Sequence, residues 1–306
     1  MASGPADAQG PALTAAPGRP PPGPLPSPVQ VDVAGLSHPG KVRPNNEDHF
    51  LVLRFGRFLD PLATNLPAGQ APSRCEDVGY ALAVADGRGG HATGEEASRL
   101  ALTTLVGLVL DTPDWFLRMD DPPAAEEVMR RAAERFGHID QALAGEAAED
   151  ARLRGFGTTL TLAASLGGDL LLAHVGDSRA YLFRAGALHQ LTRDHTWVGE
   201  LHQAGLITQA EAAAHELRHF LTRHLGANKG ARPDVQRLAL ADGDCLLLCT
   251  DGLSDMVSDA EIAEVLAGGG ASEAMSQRLV DRALAAGGND NVTVVVAQYR
   301  APLRSA

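Results

Sequence analysis

Three apolar runs in this 306-residue sequence meet an aspartate at one end. YALAVAD leads to Asp86-Gly87, CLLLCT to Asp251-Gly252, and Asp290 sits in GGNDN just before VTVVVA. A buried strand holds such a carboxylate rigidly, and a following glycine lets the backbone turn and expose its carbonyl. Three oxygens delivered in this way can converge on a cation. Asp-Gly is also a common hairpin signal, and Asp242-Gly243, between two strand-like runs, reads as that and nothing more. A fourth acidic element, RPNNED, places Arg43 four residues before the adjacent pair Glu47 and Asp48. Neighbouring carboxylates repel unless a cation or solvent compensates. Taken singly, each of these elements also fits an ordinary turn or a solvated loop.

Carboxylate and carbonyl oxygens without an interleaved His or Cys set suit a hard cation such as Mg²⁺ or Mn²⁺. Two such ions about 3.5–4 Å apart generate a bridging hydroxide and clamp a phosphoryl group, one solution for phosphate ester hydrolysis. A nearby Arg can hold the phosphate oxygens through its fork, and Arg43 is the candidate. Composition narrows the remaining classes. The net charge of −12 opposes attraction to polyanions, which argues against nucleic acid and anionic membranes as partners. The longest run of apolar and small neutral residues, 100–110, falls short of the roughly 20 needed to cross a bilayer. MASGPADAQG lacks the basic and apolar regions of a secretory signal, so a cytoplasmic location is expected. The three cysteines are Cys75, Cys245 and Cys249; the last two share one face of a strand and read as buried thiols rather than a zinc or disulfide framework.

The elements that must position these groups begin after a tail. Nine of the nineteen prolines fall in residues 1–30, where only Asp7 and Arg19 are charged, so this stretch is expected to be disordered. From Val31 to about residue 302, apolar runs alternate with helix-period segments. Strands are expected near 31–36, 49–55, 78–85, 158–165, 169–175, 179–184, 235–240, 244–249 and 292–299. Hairpin-type links such as 167–169 and 242–243 point to antiparallel sheets. Helices are expected at 95–110, 124–144 and 272–286, the last with Met275, Leu279, Val280, Ala283 and Leu284 on one face. Thr208 with Glu211 and Ser258 with Glu261 form capping-box patterns. Residues 196–236, polar and helical between two strands, read as an insertion over one edge of the sheets.

In order along the chain, SHPGKVRPNNEDHF, VADGRGGH, GTTLTLA, HVGDSRAYLFR, LTRDHTWV, CTDGLSDMVSD and GGNDNVTVVV resemble the successive signatures of bacterial type 2C (PPM) metal-dependent Ser/Thr protein phosphatases, over roughly residues 31–299. The resemblance implies an α+β fold of four layers, two antiparallel sheets flanked by helix pairs, with a dinuclear Mn²⁺ or Mg²⁺ centre in a cleft at one edge. Asp86 would bridge both metals, the Gly87 carbonyl would bind one, and Asp251 and Asp290 the other. Glu47 and Asp48 would act mainly through metal-bound waters, and Arg43 would bind substrate phosphate. The implied reaction is in-line attack of the bridging hydroxide on phosphoserine or phosphothreonine, opposing a Ser/Thr kinase. Residues 196–236 would be the flap over the cleft.

Two departures qualify that resemblance. Arg88 follows Asp86-Gly87 where many bacterial relatives carry Met and animal ones a His, which leaves the proton donor to the leaving group unassigned. Arg152 stands where relatives often carry an Asp that helps hold a third metal, although Asp255 offers another carboxylate. Phosphoprotein recognition without turnover and hydrolysis of small phosphate esters are the competing readings. His174 reads as a packed histidine, His91 as a capping or orienting group, and Trp115 and Trp197 as core or flap anchors. His174, Asp177 and Ser178 lack the placement of a hydrolase triad.

Overall fold

The computed structural model describes residues 29–59, 62, 63, 65, 75–89, 92–112, 121–153, 155–227 and 230–300. The Pro-rich stretch up to residue 28, His91, Trp115 and the side chain of Cys75 lie outside the described residues. In chain order the elements are β1 (Gln30–His38), β2 (Asp48–Leu59), β3 (Cys75–Arg88), α1 (Ala92–Asp111), α2 (Pro122–Glu149), β4 (Gly157–Thr158), β5 (Leu160–Leu166), β6 (Asp169–Val175), β7 (Arg179–Arg184), β8 (Ala187–Gln190), α3 (Trp197–Gln203), α4 (Gln209–Ala214), β9 (Asp234–Ala239), β10 (Cys245–Cys249), α5 (Asp251–Ser254), α6 (Asp259–Ala267), α7 (Ser272–Ala285) and β11 (Val292–Arg300). Among the described residues no helix is long and apolar enough to cross a membrane.

The strands form two antiparallel sheets, β1-β11-β10-β7-β8 and β2-β3-β5-β6-β9, with β4 pairing the end of β3. Alternation along each strand builds the layers, because successive side chains leave opposite faces. Leu82 and Val84 of β3 enter the core between the sheets with Leu246 and Leu248 of β10 and Val295, Ala297 and Tyr299 of β11. The intervening Ala83 and Ala85 face α1 and α2, packing with Leu105, Phe136 and Ile139. On the other side, Cys245, Leu247 and Cys249 face α6 and α7 and meet Ile262, Met275 and Leu279. The result is the expected α+β arrangement of four layers, helices, sheet, sheet, helices. Cys245 and Cys249 are free, buried thiols.

Residues 167 and 168 make the expected two-residue hairpin, with Leu166 opposite Asp169. Asp242-Gly243 does not. Strand β9 pairs with β6 in one sheet while β10 pairs with β7 and β11 in the other, so this turn carries the chain between layers. Its anchor is Asp244, whose buried carboxylate receives Arg184 Nη2 (2.6 Å) and the Ala241 amide (2.7 Å). Both capping boxes form, at Thr208 with Glu211 and at Ser258 with Glu261. Among the described residues of 196–236 only α3 and α4 are helical, and from Asp234 the chain is strand β9.

The far end of that segment is fastened by a buried charge. Asp140 on α2 accepts the Gly226 amide at 2.7 Å and the Ala231 amide at 3.2 Å. Asp140→Ala is expected to destabilise the chain by about 1–3 kcal/mol for each amide left without a partner. Urea unfolding together with amide exchange at Gly226 and Ala231 checks this, and an unchanged midpoint with unchanged exchange would contradict it.

Candidate metal centre and phosphate cleft

The site forms where the two sheets part at one end of the sandwich. Asp48 and Asp86 are directly opposite each other in the β2–β3 ladder, at the opening residue of β2 and near the close of β3. Both continue the parity of the residues that face the inter-sheet core, Phe50 and Val52 on β2, Leu82 and Val84 on β3. Apolar side chains therefore hold the strands down to the point where carboxylates take over. From the opposite sheet, β10 ends at Cys249, and Thr250 caps the short helix α5 that begins with Asp251. Thr250 Oγ1 donates to Asp48 Oδ2 at 2.8 Å and accepts the Thr293 amide at 3.0 Å, which ties the two sheets together beneath the cleft.

Backbone geometry sets the remaining groups. The end of β3 runs so close to the first turn of α1 that a Cβ at Gly87 would overlap the Gly94 carbonyl, so only glycine fits. Gly176, at φ +117° and against Thr159, makes the turn that leads from β6 to Asp177. Asn291 ties down the loop before β2: its Oδ1 accepts the Glu47 amide (2.8 Å), and its Nδ2 donates to the carbonyls of Pro39 (3.0 Å) and Asn45 (2.8 Å). The neighbouring Asp290 receives Arg43 Nη2 at 2.6 Å.

These elements enclose a polar cleft of about 520 Å³ lined by Arg43, Glu47, Asp86, Gly87, Asp251 and Asp290 among others. Six of the seven residues singled out from the sequence thus share one wall-to-wall site. The seventh, Asp48, lies just beneath it, 4% exposed, and its Oδ1 has no hydrogen-bond partner. Sequence reasoning weighed Asp177 only for a hydrolase triad and did not single out Arg218 or His219, and all three line the cleft. A carboxylate oxygen of Asp177 lies within 4.8 Å of others from Asp86 and Asp251. Its signal was available: HVGD is one more apolar strand ending on an aspartate, with the glycine before it instead of after. Asp255 also lines the cleft, one helical turn beyond Asp251. Arg88 sits exposed on the wall, where its charge opposes the upward shift of Asp177. Arg152 is outside the cleft, 87% exposed and paired with Asp150 at 2.5 Å.

The remaining candidates are structural. His174 is buried, with Nδ1 at 2.8 Å from Thr161 Oγ1 and Nε2 at 3.1 Å from the Arg193 carbonyl. Burial, reinforced by the adjacent His195 ring at 4.8 Å, pushes its pKa down to about 3. Ser178 bonds Thr159 instead, so no hydrolase triad assembles. Trp197 is 46% exposed on α3 and takes no part in the core.

Burial and crowded carboxylates dominate the electrostatics of the cleft. Burial, then repulsion from Asp251, Asp48 and Asp177, raises Asp86 well above the ordinary carboxylate range. Burial raises Asp48 to about 7, with Asp251 and Asp290 adding to it. Burial, then Asp255 and Asp290, raises Asp251 to about 6. Clustered oxygens with no nitrogen or sulfur among the Asp86, Asp177 and Asp251 group match a hard divalent cation. The orphaned Asp48 oxygen is satisfied if ordered water fills the space between it and such a cation.

The protein phosphatase 2C family model matches residues 71–286, and the chain belongs to that family. Serine/threonine protein phosphatase PstP of Mycobacterium tuberculosis is 41% identical over 253 residues, covering 81% of this chain but 45% of PstP, so the chain spans less than half the length of that relative. Protein phosphatase PhpP of Streptococcus pneumoniae is 32% identical over 271 residues, 87% of this chain and 96% of PhpP. The crystal structure of M. tuberculosis PstP superposes with a TM-score of 0.70 at 37% identity, over 88% of this chain and 99% of that one. The PstP catalytic domain, solved in complex with two manganese ions, gives 0.69 at 35% identity, over 89% and 99%.

With cations chelated, the raised pKa values set a direction for stability. Asp48 and Asp251 titrate higher in the folded chain than the ordinary 3.8, so between about pH 4 and 7 the folded state binds more protons than the unfolded one. Stability in EDTA is expected to fall as pH rises through that window, and Asp48→Asn is expected to flatten the decline. Urea midpoints from pH 4.5 to 7.5 read this out; a midpoint that rises across the series would contradict it.

Proposed function

We propose that this chain is a phosphoprotein phosphatase that hydrolyses phosphoserine and phosphothreonine on proteins with the help of two divalent cations, Mn²⁺ or Mg²⁺. The observation that carries the reading is the convergence of the Asp86, Asp177 and Asp251 carboxylates at the floor of a cleft whose rim carries Arg43. In this reading Asp86, the Gly87 carbonyl, Asp251 and Asp290 would hold the two cations, with Asp86 serving both, and Glu47 and Asp48 would act through water. When bound, two such cations lower the pKa of water and polarise the phosphoryl group, the two requirements for cleaving a phosphate monoester. The manganese-bound PstP catalytic domain and the family match both support that choice of cofactor.

The chain's own residues supply position and charge. Arg43 is 55% exposed and its partner Asp290 37%, so their ion pair is screened and easily exchanged for another anion. A phosphate entering the cleft offers Arg43 a dianion with fork-matched oxygens, a better partner than one carboxylate. Arg88 adds a second positive charge on the same wall. Thr250 keeps Asp48 in place through its hydroxyl, so the carboxylates do not part when a substrate with the same sign of charge arrives. Residues 196–236 act as the flap, with Arg218 and His219 reaching the cleft from it. The expected setting is the cytoplasm; action opposite a Ser/Thr kinase is supported by the naming of the PstP relative as a serine/threonine protein phosphatase.

Phosphate release from a phosphothreonine peptide is expected with Mn²⁺ or Mg²⁺ and is expected to vanish in EDTA. Asp251→Asn is expected to reduce kcat/KM by at least about a hundredfold, the upper end of effects seen on perturbing a metal centre. Cation binding without turnover of any phosphopeptide or phosphoprotein would instead mark a phosphoprotein-binding module, and turnover confined to p-nitrophenyl phosphate a small-ester hydrolase.

Arg43→Ala is expected to raise KM for the peptide about 10- to 100-fold, the loss of ~1.5–3 kcal/mol of charge-assisted hydrogen bonding. An unchanged KM with lowered kcat would remove Arg43 from ground-state phosphate binding.

A further inference from the structure

We propose that His195 is a positioning residue for the metal centre: it holds both backbone groups of Gly176, and through them fixes where the Asp177 carboxylate meets those of Asp86 and Asp251. The inference rests on the reading of those carboxylates as a cation site, and gives a role to the LTRDHTWV stretch that the reading left unused. His195 is buried and does not line the cleft. Its ring Nδ1 accepts the Gly176 amide at 3.1 Å, and its own amide donates to the Gly176 carbonyl at 2.7 Å. A ring nitrogen that accepts an amide carries no proton, so the neutral imidazole is protonated on Nε2, which lies 3.2 Å from Asp234 Oδ2. Burial, then the charge of Arg223, lowers the pKa of the ring and favours that neutral form.

The turn needs such a clamp. Gly176 sits at φ +117°, with Thr159 too close to admit a Cβ, and glycine is the residue with the most backbone freedom to lose. Without a fixed turn, Asp177 is free to swing away from the carboxylates that repel it. A second grip lies beyond Asp177, where Asp194 takes the Arg179 guanidinium through its fork, Nε to Oδ1 at 2.9 Å and Nη2 to Oδ2 at 2.6 Å. Two consecutive residues, Asp194 and His195, thus hold the residue before Asp177 and the one two positions after it. His195 is anchored in its turn. Its carbonyl accepts the Thr222 amide at 2.8 Å, and its partner Asp234 also receives Arg223 Nη1 at 2.9 Å. An apolar side chain of the same size would fill the space and leave the buried Gly176 amide without its acceptor.

The test separates the two ring nitrogens. In His195→Asn the side-chain oxygen replaces Nδ1 and can still accept the Gly176 amide, whereas the longer side chain of His195→Gln replaces Nε2 and meets only Asp234. Mn²⁺ affinity of the full chain is measured by equilibrium dialysis, amide exchange at Gly176 in EDTA, and kinetics on a phosphothreonine peptide. His195→Ala and His195→Gln are expected to weaken Mn²⁺ binding about 10- to 100-fold, the range found when a group that orients a metal ligand is removed. Both are expected to speed exchange at Gly176 and to lower kcat with little change in KM. His195→Asn is expected to restore all three properties toward those of the unmodified chain. Should His195→Ala fail to unfold cooperatively in urea, the contrast between Asn and Gln decides. Mn²⁺ affinity no better in Asn than in Gln, whether both fall or both hold, overturns the proposal, leaves His195 a packing residue and leaves the dinuclear reading standing. Failure of the unmodified chain to bind Mn²⁺ overturns that reading and the proposal with it.

Discussion

The constraint on which the rest of this structure depends is the mutual repulsion of carboxylates buried at one end of an apolar sandwich. Asp48, Asp86, Asp177 and Asp251 are delivered there by four different strand ends, and burial first, then repulsion from neighbouring carboxylates, raises all four above the ordinary carboxylate range. Packing is what makes the arrangement tenable. Asp86, Asp177 and Asp251 each follow a strand of buried aliphatic residues, so moving one away from its neighbours would drag apolar surface into water. A stable fold thus stores a charge density that suits a divalent cation.

Two layers of polar fixation keep this charge from being relieved by distortion. Thr250 joins the sheets by donating to Asp48 and accepting from Thr293, so the two walls of the cleft cannot drift apart without breaking a buried hydrogen bond. Asn291 does the same for the loop that carries Arg43 and Glu47, using its amide as both acceptor and donor. Exposed groups are held more loosely. Arg43 is tied to Asp290 only by a solvent-accessible pair, as suits a residue that must change partners. The division is between rigid, buried carboxylates and an adaptable, exposed arginine.

Much of this was legible in the residues themselves. Continuous apolar runs such as ALAVA, LLLAHV and CLLLC located the strands, since a strand buried on both faces must be apolar throughout and must end where charge begins. The same logic located Asp86, Asp251 and Asp290. It missed Asp177 because the glycine there precedes the carboxylate, and it missed His219 because a histidine in a polar segment carries no periodic signal. Strand β8, four residues with one half-buried side chain, left too weak a pattern to see. Asp242-Gly243 misled for a different reason: a turn signal reports that the chain reverses, while the choice between pairing with the previous strand and crossing to the other sheet depends on partners far away in sequence.

The sequence by itself determined most strands and the long helices, the acidic character of the site, the family, and six residues of the cleft together with Asp48 beneath it, because local periodicity and strand-end residues are short-range properties. The tertiary structure alone decided which sheet each strand joined, that Thr250 and Asn291 brace the carboxylates, that Arg152 points away, and that His219 meets Asp251 and Asp255. Those are contacts between segments 30 to 250 residues apart. Only the packing of two sheets against each other brings such segments within hydrogen-bonding distance, and no single stretch of sequence encodes it.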